Sequence, residues 1–213
     1  MCIRDRVHAA AVAATNEVLD CAAALGATAL AGPLHSAIGV FTGAPPTADE
    51  WSASVDALQQ NSAHAASLGL ALGIEPLNRF ECYLVNSQAD GARFCRDVGA
   101  DNCKVLYDTF HANIEEKDEA TAIRECADQL GYVHISENDR STPGAGNVAW
   151  DATFSTLAEV GYDGWFTIEA FGQSIPDFAA AAKIWRQMFE SEEQVARDGL
   201  AFIKQKHAEH FTN

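Results

Sequence analysis

Leu70-Ala-Leu-Gly-Ile-Glu75 is apolar along its length and closes on a carboxylate. A strand with one face in water would alternate apolar and polar residues. A continuous apolar run implies that both faces are covered, as in a parallel sheet flanked by helices. Four further runs share this character, at 27–31, 104–108, 132–136 and 165–170.

Amphipathic stretches lie between them. Thr47 followed by Glu50 is the signature of a capping box and opens a helix running to about Leu68. Residues 87–98, 119–130 and 151–160 read as the next three helices. Residues 7–25 read as a first helix, and Pro176 begins a long C-terminal helical region. Gly26, Gly99, Gly131 and Gly161 each stand where a helix would stop. Glu115-Glu116 reads as a helix start, where acidic side chains favour the dipole. Strand and helix alternate five times at a spacing of roughly 30–45 residues, which predicts βα units on a parallel sheet. A doubly wound sheet and a (β/α)8 barrel both satisfy this rhythm. No glycine-rich phosphate loop follows the first strand, which weakens the dinucleotide-binding version. A full barrel needs about 250 residues and eight strands. Five strands, and a first helix with none before it, predict an incomplete barrel lacking its first three strands. Residues 1–213 read as one domain in which 1–6 is a non-native start.

Composition narrows the function. The chain has 213 residues, 48% of them hydrophobic, enough for a substantial core. Its net charge of −16, from 14 basic and 30 acidic residues, disfavours nucleic acid and anionic lipid and suits a neutral small-molecule partner. No apolar run is long enough to span a bilayer, and no signal peptide is recognisable. The six cysteines are scattered without a CxxC pair, the pattern of reduced cytoplasmic thiols.

A polar residue at the end of a buried apolar strand is costly without a purpose. Glu75, Asp108, His134 and Glu169 occupy such places on four successive strands. In a parallel barrel the C-terminal strand ends share the face that carries the active site, so these four would converge there. Three carboxylates and one imidazole make a mostly oxygen donor set, suited to Mn²⁺ or Mg²⁺, compatible with Co²⁺ and less apt for zinc. Taken singly, a carboxylate at a strand end is more often a cap or an ion-pair partner, and a lone histidine more often a core residue. The repetition on four strands favours a metal site. Glu81, His111 and Arg140 follow in the loops just beyond, where substrate contacts belong. Glu137, Asn138 and Asp139 receive no primary role. Among the isolated histidines, His35 after the Gly32-Pro33 turn is the one to watch.

Three segments together, Gly73-Ile-Glu-Pro-Leu-Asn-Arg-Phe-Glu81, Tyr107-Asp-Thr-Phe-His-Ala-Asn-Ile-Glu-Glu116, and His134-x-x-Glu-x-x-Arg-x-x-Pro-Gly-x-Gly146, resemble the D-tagatose/D-allulose (psicose) 3-epimerases. These are TIM barrels of the xylose isomerase-like superfamily of sugar isomerases and epimerases. The resemblance runs from about Val7 to the C-terminus. It implies metal ligation by Glu75, Asp108, His134 and Glu169, with Glu75 and Glu169 also the proton-transfer pair. It implies sugar contacts from Glu81, His111 and Arg140. The expected reaction is metal-dependent epimerisation at C3 of free ketoses (D-tagatose, D-fructose, D-allulose or L-ribulose) by deprotonation and reprotonation through an enediolate. It further implies a homodimer or homotetramer of the full-length form. Two alternatives remain open: an aldose–ketose isomerase of the hydroxypyruvate isomerase type, and an inactive truncated metal-binding fragment. A metal-dependent DNA-repair nuclease on the same barrel would want a basic groove, which the charge opposes.

Overall fold

The structure, a computed structural model, describes residues 3–211. The expectation of a non-native start concerns in part Met1 and Cys2, which lie outside the described residues; Ile3 already belongs to the first helix. Element order is α1 (Ile3–Ala24), β1 (Ala29–Gly32), α2 (Ala48–Ser67), β2 (Ala71–Ile74), α3 (Gln88–Val98), β3 (Cys103–Asp108), α4 (Thr109–Glu115), α5 (Glu119–Cys126), β4 (Leu130–Ile135), α6 (Trp150–Glu159), β5 (Phe166–Ile168), α7 (Pro176–Ala181) and α8 (Glu192–His210). The five strands form one sheet in sequence order, β1 to β5. All five expected strands are present to within a few residues, and the pairs β1/β2, β2/β3 and β4/β5 are parallel. This is the alternating strand–helix architecture expected of an incomplete (β/α)8 barrel.

The chain groups into two compact units. The first holds residues up to Leu106 together with Asp128–Gly131. Here α1 packs on α2, and α2 on α3 and β2. The core contains Leu19, Leu58, Leu72, Ile74, Phe94 and Val105, all almost fully buried. Thr47 and Glu50 form the reciprocal capping box that starts α2. Ser87 accepts from Asp90 N to start α3, and Gly99 closes that helix in the left-handed conformation. Gly26 and Gly161 are left-handed too, as a helix stop requires.

Gly131 departs from that expectation, because it lies inside β4. A Cβ there would fall 2.6 Å from Lys104 Cβ, so glycine is required by the close approach of two strands and not by a cap.

The second unit holds Tyr107–Ala127 and Tyr132–Asn213. In it α5 packs on α6, α6 on α8, and α8 on β5, around Phe154, Leu157, Ile123 and Ile135. Three expectations are corrected here. Glu115 ends a helix instead of starting one, because the Asp108 carboxylate already caps the short α4 from Thr109. The helix expected over 119–130 stops at Cys126, and Leu130 opens β4. The C-terminal helical region divides into α7 and α8. The intervening 182–191, with left-handed Lys183 and the exposed Trp185, is irregular until Ser191 caps α8 by accepting from Gln194 N.

Candidate metal and acid–base site

Each of the four polar residues expected to converge stands at the C-terminal end of its strand. Glu75 directly follows β2, Asp108 is the last residue of β3, His134 is the penultimate residue of β4, and Glu169 directly follows β5. Glu75 and Asp108 are buried, while His134 and Glu169 keep partial exposure. Within the second unit, one ligand atom from each of Asp108, His134 and Glu169 lies within 4.8 Å of the other two.

The second unit shows how three of them are arranged. His134 Nδ1 is 3.4 Å from Asp108 Oδ2 and 3.3 Å from Glu169 Oε1. Bonds of ~2.1 Å in an octahedron put neighbouring ligand atoms ~3 Å apart. The observed spacings match such an edge, so this donor set fits a hard divalent cation. The local fold leaves Asp108 one oxygen for that purpose. Its Oδ1 accepts from the backbone N–H groups of Phe110 (2.8 Å) and His111 (3.0 Å), capping α4, while Oδ2 faces His134. Burial pushes the Asp108 carboxyl up, but His134 and the Arg140 guanidinium together hold it well below the usual carboxylate range.

Arg140 is the cationic member of the cluster. It is buried and left-handed, with φ 64°. Its guanidinium carbon lies 3.7 Å from the Phe110 ring centroid and 4.8 Å from that of Phe171. Nη1 donates to Glu169 Oε2 and to Ser136 Oγ (3.0 Å), and sits 3.6 Å from Asp108 Oδ2. Nη2 is 3.0 Å from His111 Nε2. A guanidinium can only donate, so His111 presents Nε2 as an acceptor and is neutral. The backbone carbonyl of Arg140 accepts from Phe171 N at 2.9 Å, fixing the loop after β4 to the loop after β5.

Glu81 lies in the loop after β2, half-buried, and accepts from Asn78 Nδ2 at 2.9 Å. His35 is buried after β1, and its Nε2 lies 3.0 Å from the Glu75 backbone carbonyl. Burial lowers its pKa from 6.5 to about 4, against the opposing effect of that hydrogen bond. Neutral His35 donates through Nε2, and Nδ1, buried and with no hydrogen-bond partner, would gain an unmatched proton on ionisation. The unfolded chain therefore binds this proton more readily than the folded one between pH 6.5 and 4. The stability due to neutral His35 is complete above pH 6.5 and lost as the pH falls toward 4, by up to ~3 kcal/mol. Urea unfolding of the wild type and of His35→Gln should show this slope only in the wild type.

Sequence reasoning passed over Phe110, Phe171 and Ser136, which hold Arg140, and left Glu137 unassigned. Phe110 and Phe171 each fall two residues after a cluster carboxylate, the one signal that pointed to them. A second group, Asp151, Glu209 and His210, is mostly exposed. Lys206 Nζ, 2.6 Å from Asp151 and 2.8 Å from Glu209, already supplies its positive charge. No helix among the described residues is long and apolar enough to cross a membrane.

Comparison with known proteins agrees with this architecture. A family model described as a xylose isomerase-like TIM barrel matches residues 3–206. An L-ribulose 3-epimerase of Mesorhizobium japonicum is 39% identical over 92% of this chain and 67% of its own length. A solved L-ribulose 3-epimerase superposes with a TM-score of 0.90 at 35% identity, over 95% of this chain and 68% of that one. A D-allulose 3-epimerase from Methylomonas sp., solved in complex with D-allulose, gives a TM-score of 0.88 at 32% identity, over 93% of this chain and 69% of that one. The chain thus spans about two thirds of the length of these relatives.

Proposed function

The chain belongs to the xylose isomerase-like TIM barrel family, and from that premise we propose that it carries the metal-binding, acid–base part of a ketose 3-epimerase. The observation that carries this reading is the Asp108–His134–Glu169 triangle, with Arg140 against one carboxylate. With His134 neutral, three carboxylates and one guanidinium leave a charge of −2, which a divalent cation cancels. Glu75, Asp108, His134 and Glu169 would hold that cation. Mn²⁺ is the proposed occupant, with Mg²⁺ and Co²⁺ as competitors that the oxygen-rich set also accepts. When bound, the cation supplies Lewis acidity at a sugar carbonyl, making the neighbouring C–H more acidic.

The residues of the chain account for the remaining steps. Inverting C3 needs a base on one face of that carbon and an acid on the other, because a single base would return the proton to the side it left. Glu75 and Glu169 are the two carboxylates assigned to these faces, one withdrawing the C3 proton and the other delivering a proton to the opposite side. Arg140 shares the Glu169 carboxylate and donates toward oxygens that gain charge. His111, neutral and hydrogen-bonded to Arg140, and Glu81 orient sugar hydroxyls. The relatives named as L-ribulose and D-psicose 3-epimerases support C3 epimerisation over aldose–ketose isomerisation. D-tagatose, D-fructose, D-allulose and L-ribulose are the substrates proposed.

The test is product analysis in D₂O with Mn²⁺, using D-fructose, D-tagatose and L-ribulose. The expected result is a C3-epimeric ketose carrying deuterium at C3, abolished by a chelator and restored by Mn²⁺. An aldose product, or turnover indifferent to chelation, would overturn the proposal.

A further inference from the structure

We propose that Glu137 is a positioning residue for Arg140, an inference that rests on the role just proposed for that arginine. Glu137 is fully buried, and among the described residues no lysine, arginine or histidine pairs with it. Its charge is met by four N–H groups. Oε1 accepts from Asn138 N (3.0 Å) and Val148 N (3.2 Å); Oε2 accepts from Gly144 N (2.9 Å) and the Trp150 indole (3.1 Å). All four are donors only, so an ionised carboxylate is the one side-chain group of this size that satisfies them together. The loop between β4 and α6 is gathered around this group. Gly146 comes so near that a Cβ would fall 2.6 Å from Oε1.

Arg140 stands in the first turn of the same loop. Its N–H donates to the Glu137 backbone carbonyl at 2.9 Å, and its φ of 64° is one that a non-glycine residue keeps only where its surroundings impose it. Glu137 imposes it. Both ends of the loop are tied to one carboxylate, and the turn at Arg140 then directs the guanidinium between Phe110 and Phe171 onto Glu169 and His111. Glu137 itself touches none of the four proposed metal ligands through its side chain.

Glu137→Gln preserves the shape but turns an NH₂ toward two of the four donors. In the Mn²⁺-loaded chain we expect a tenfold or greater loss in kcat/KM for the ketose and Mn²⁺ affinity within about twofold of wild type. Arg140 should react at least tenfold faster with phenylglyoxal, as read by peptide mass spectrometry. A lowered melting point with Arg140 still protected and kinetics unchanged would make Glu137 merely structural and overturn the proposal. Loss of Mn²⁺ affinity with Arg140 still protected would overturn it as well. If the Gln variant does not fold, Trp150→Phe decides. It removes one donor of the four and should raise Arg140 labelling about threefold; unchanged labelling refutes the idea. Labelling needs no turnover, so a wild type without epimerase activity would fail the functional reading while this proposal is still decided.

Discussion

Replacing Glu169 with glutamine is expected to lower epimerase turnover by about 10²–10⁴-fold in both directions, the range that loss of a positioned proton-transfer group costs. Gln retains the shape and a carbonyl oxygen for ligation, and removes the basicity. The prediction has a finer consequence than lost rate. If Glu75 and Glu169 serve opposite faces of C3, the Gln variant still has one base. That base should exchange the C3 hydrogen of one epimer with solvent deuterium without inverting the carbon. Glu75→Gln should exchange the other epimer. Mass spectrometry of recovered sugar separates the two cases. Near-normal turnover in either variant would remove the paired-glutamate assignment. Because Glu169 also accepts from buried Arg140, the variant should lose about 1–3 kcal/mol of stability, so rates belong below its melting transition.

How far the sequence already disclosed this arrangement depends on which force placed each residue. Strands buried on both faces announce themselves through continuous hydrophobicity, and the polar residues that end them stand out for the same reason. The strand-end positions of Glu75, Asp108, His134 and Glu169 were therefore legible without coordinates. Capping is local and was legible too, as Thr47 shows. What escaped was set by contacts distant in sequence. Gly131 looked like a helix stop because glycine serves both purposes, and only the neighbouring Lys104 distinguishes them. Glu115-Glu116 looked like a helix start because nothing in the sequence said that the Asp108 carboxylate would both face the site and cap α4. Glu137 looked like any loop carboxylate. Its burial arises only when Gly144, Val148 and Trp150 fold back over it, up to 13 residues later. The interruption at 182–191 was hidden because the segment contains no glycine or proline to mark a break.

Asp108→Asn should separate the two functions of that side chain and provides the most direct measure of the metal site. The amide can keep its oxygen on the N–H groups of Phe110 and His111, so α4 retains its cap. Its nitrogen then replaces Oδ2, the atom facing His134 Nδ1 at 3.4 Å and Arg140 Nη1 at 3.6 Å. An NH₂ has no lone pair to offer a cation, and it opposes a guanidinium that also only donates. Loss of a partner outside the coordination shell already costs about 10–100-fold in metal affinity. Loss of a ligand itself should cost more than about 100-fold, measured by calorimetric titration with Mn²⁺. Asp108→Ala should lose the same affinity and, with the cap gone, a further 0.5–2 kcal/mol or so of stability in the metal-free chain. That difference between the two variants isolates the cap. Should Asp108→Asn bind Mn²⁺ as tightly as the wild type, Asp108 is a capping residue alone, and the triangle it forms with His134 and Glu169 is an ion-pair network that holds no metal.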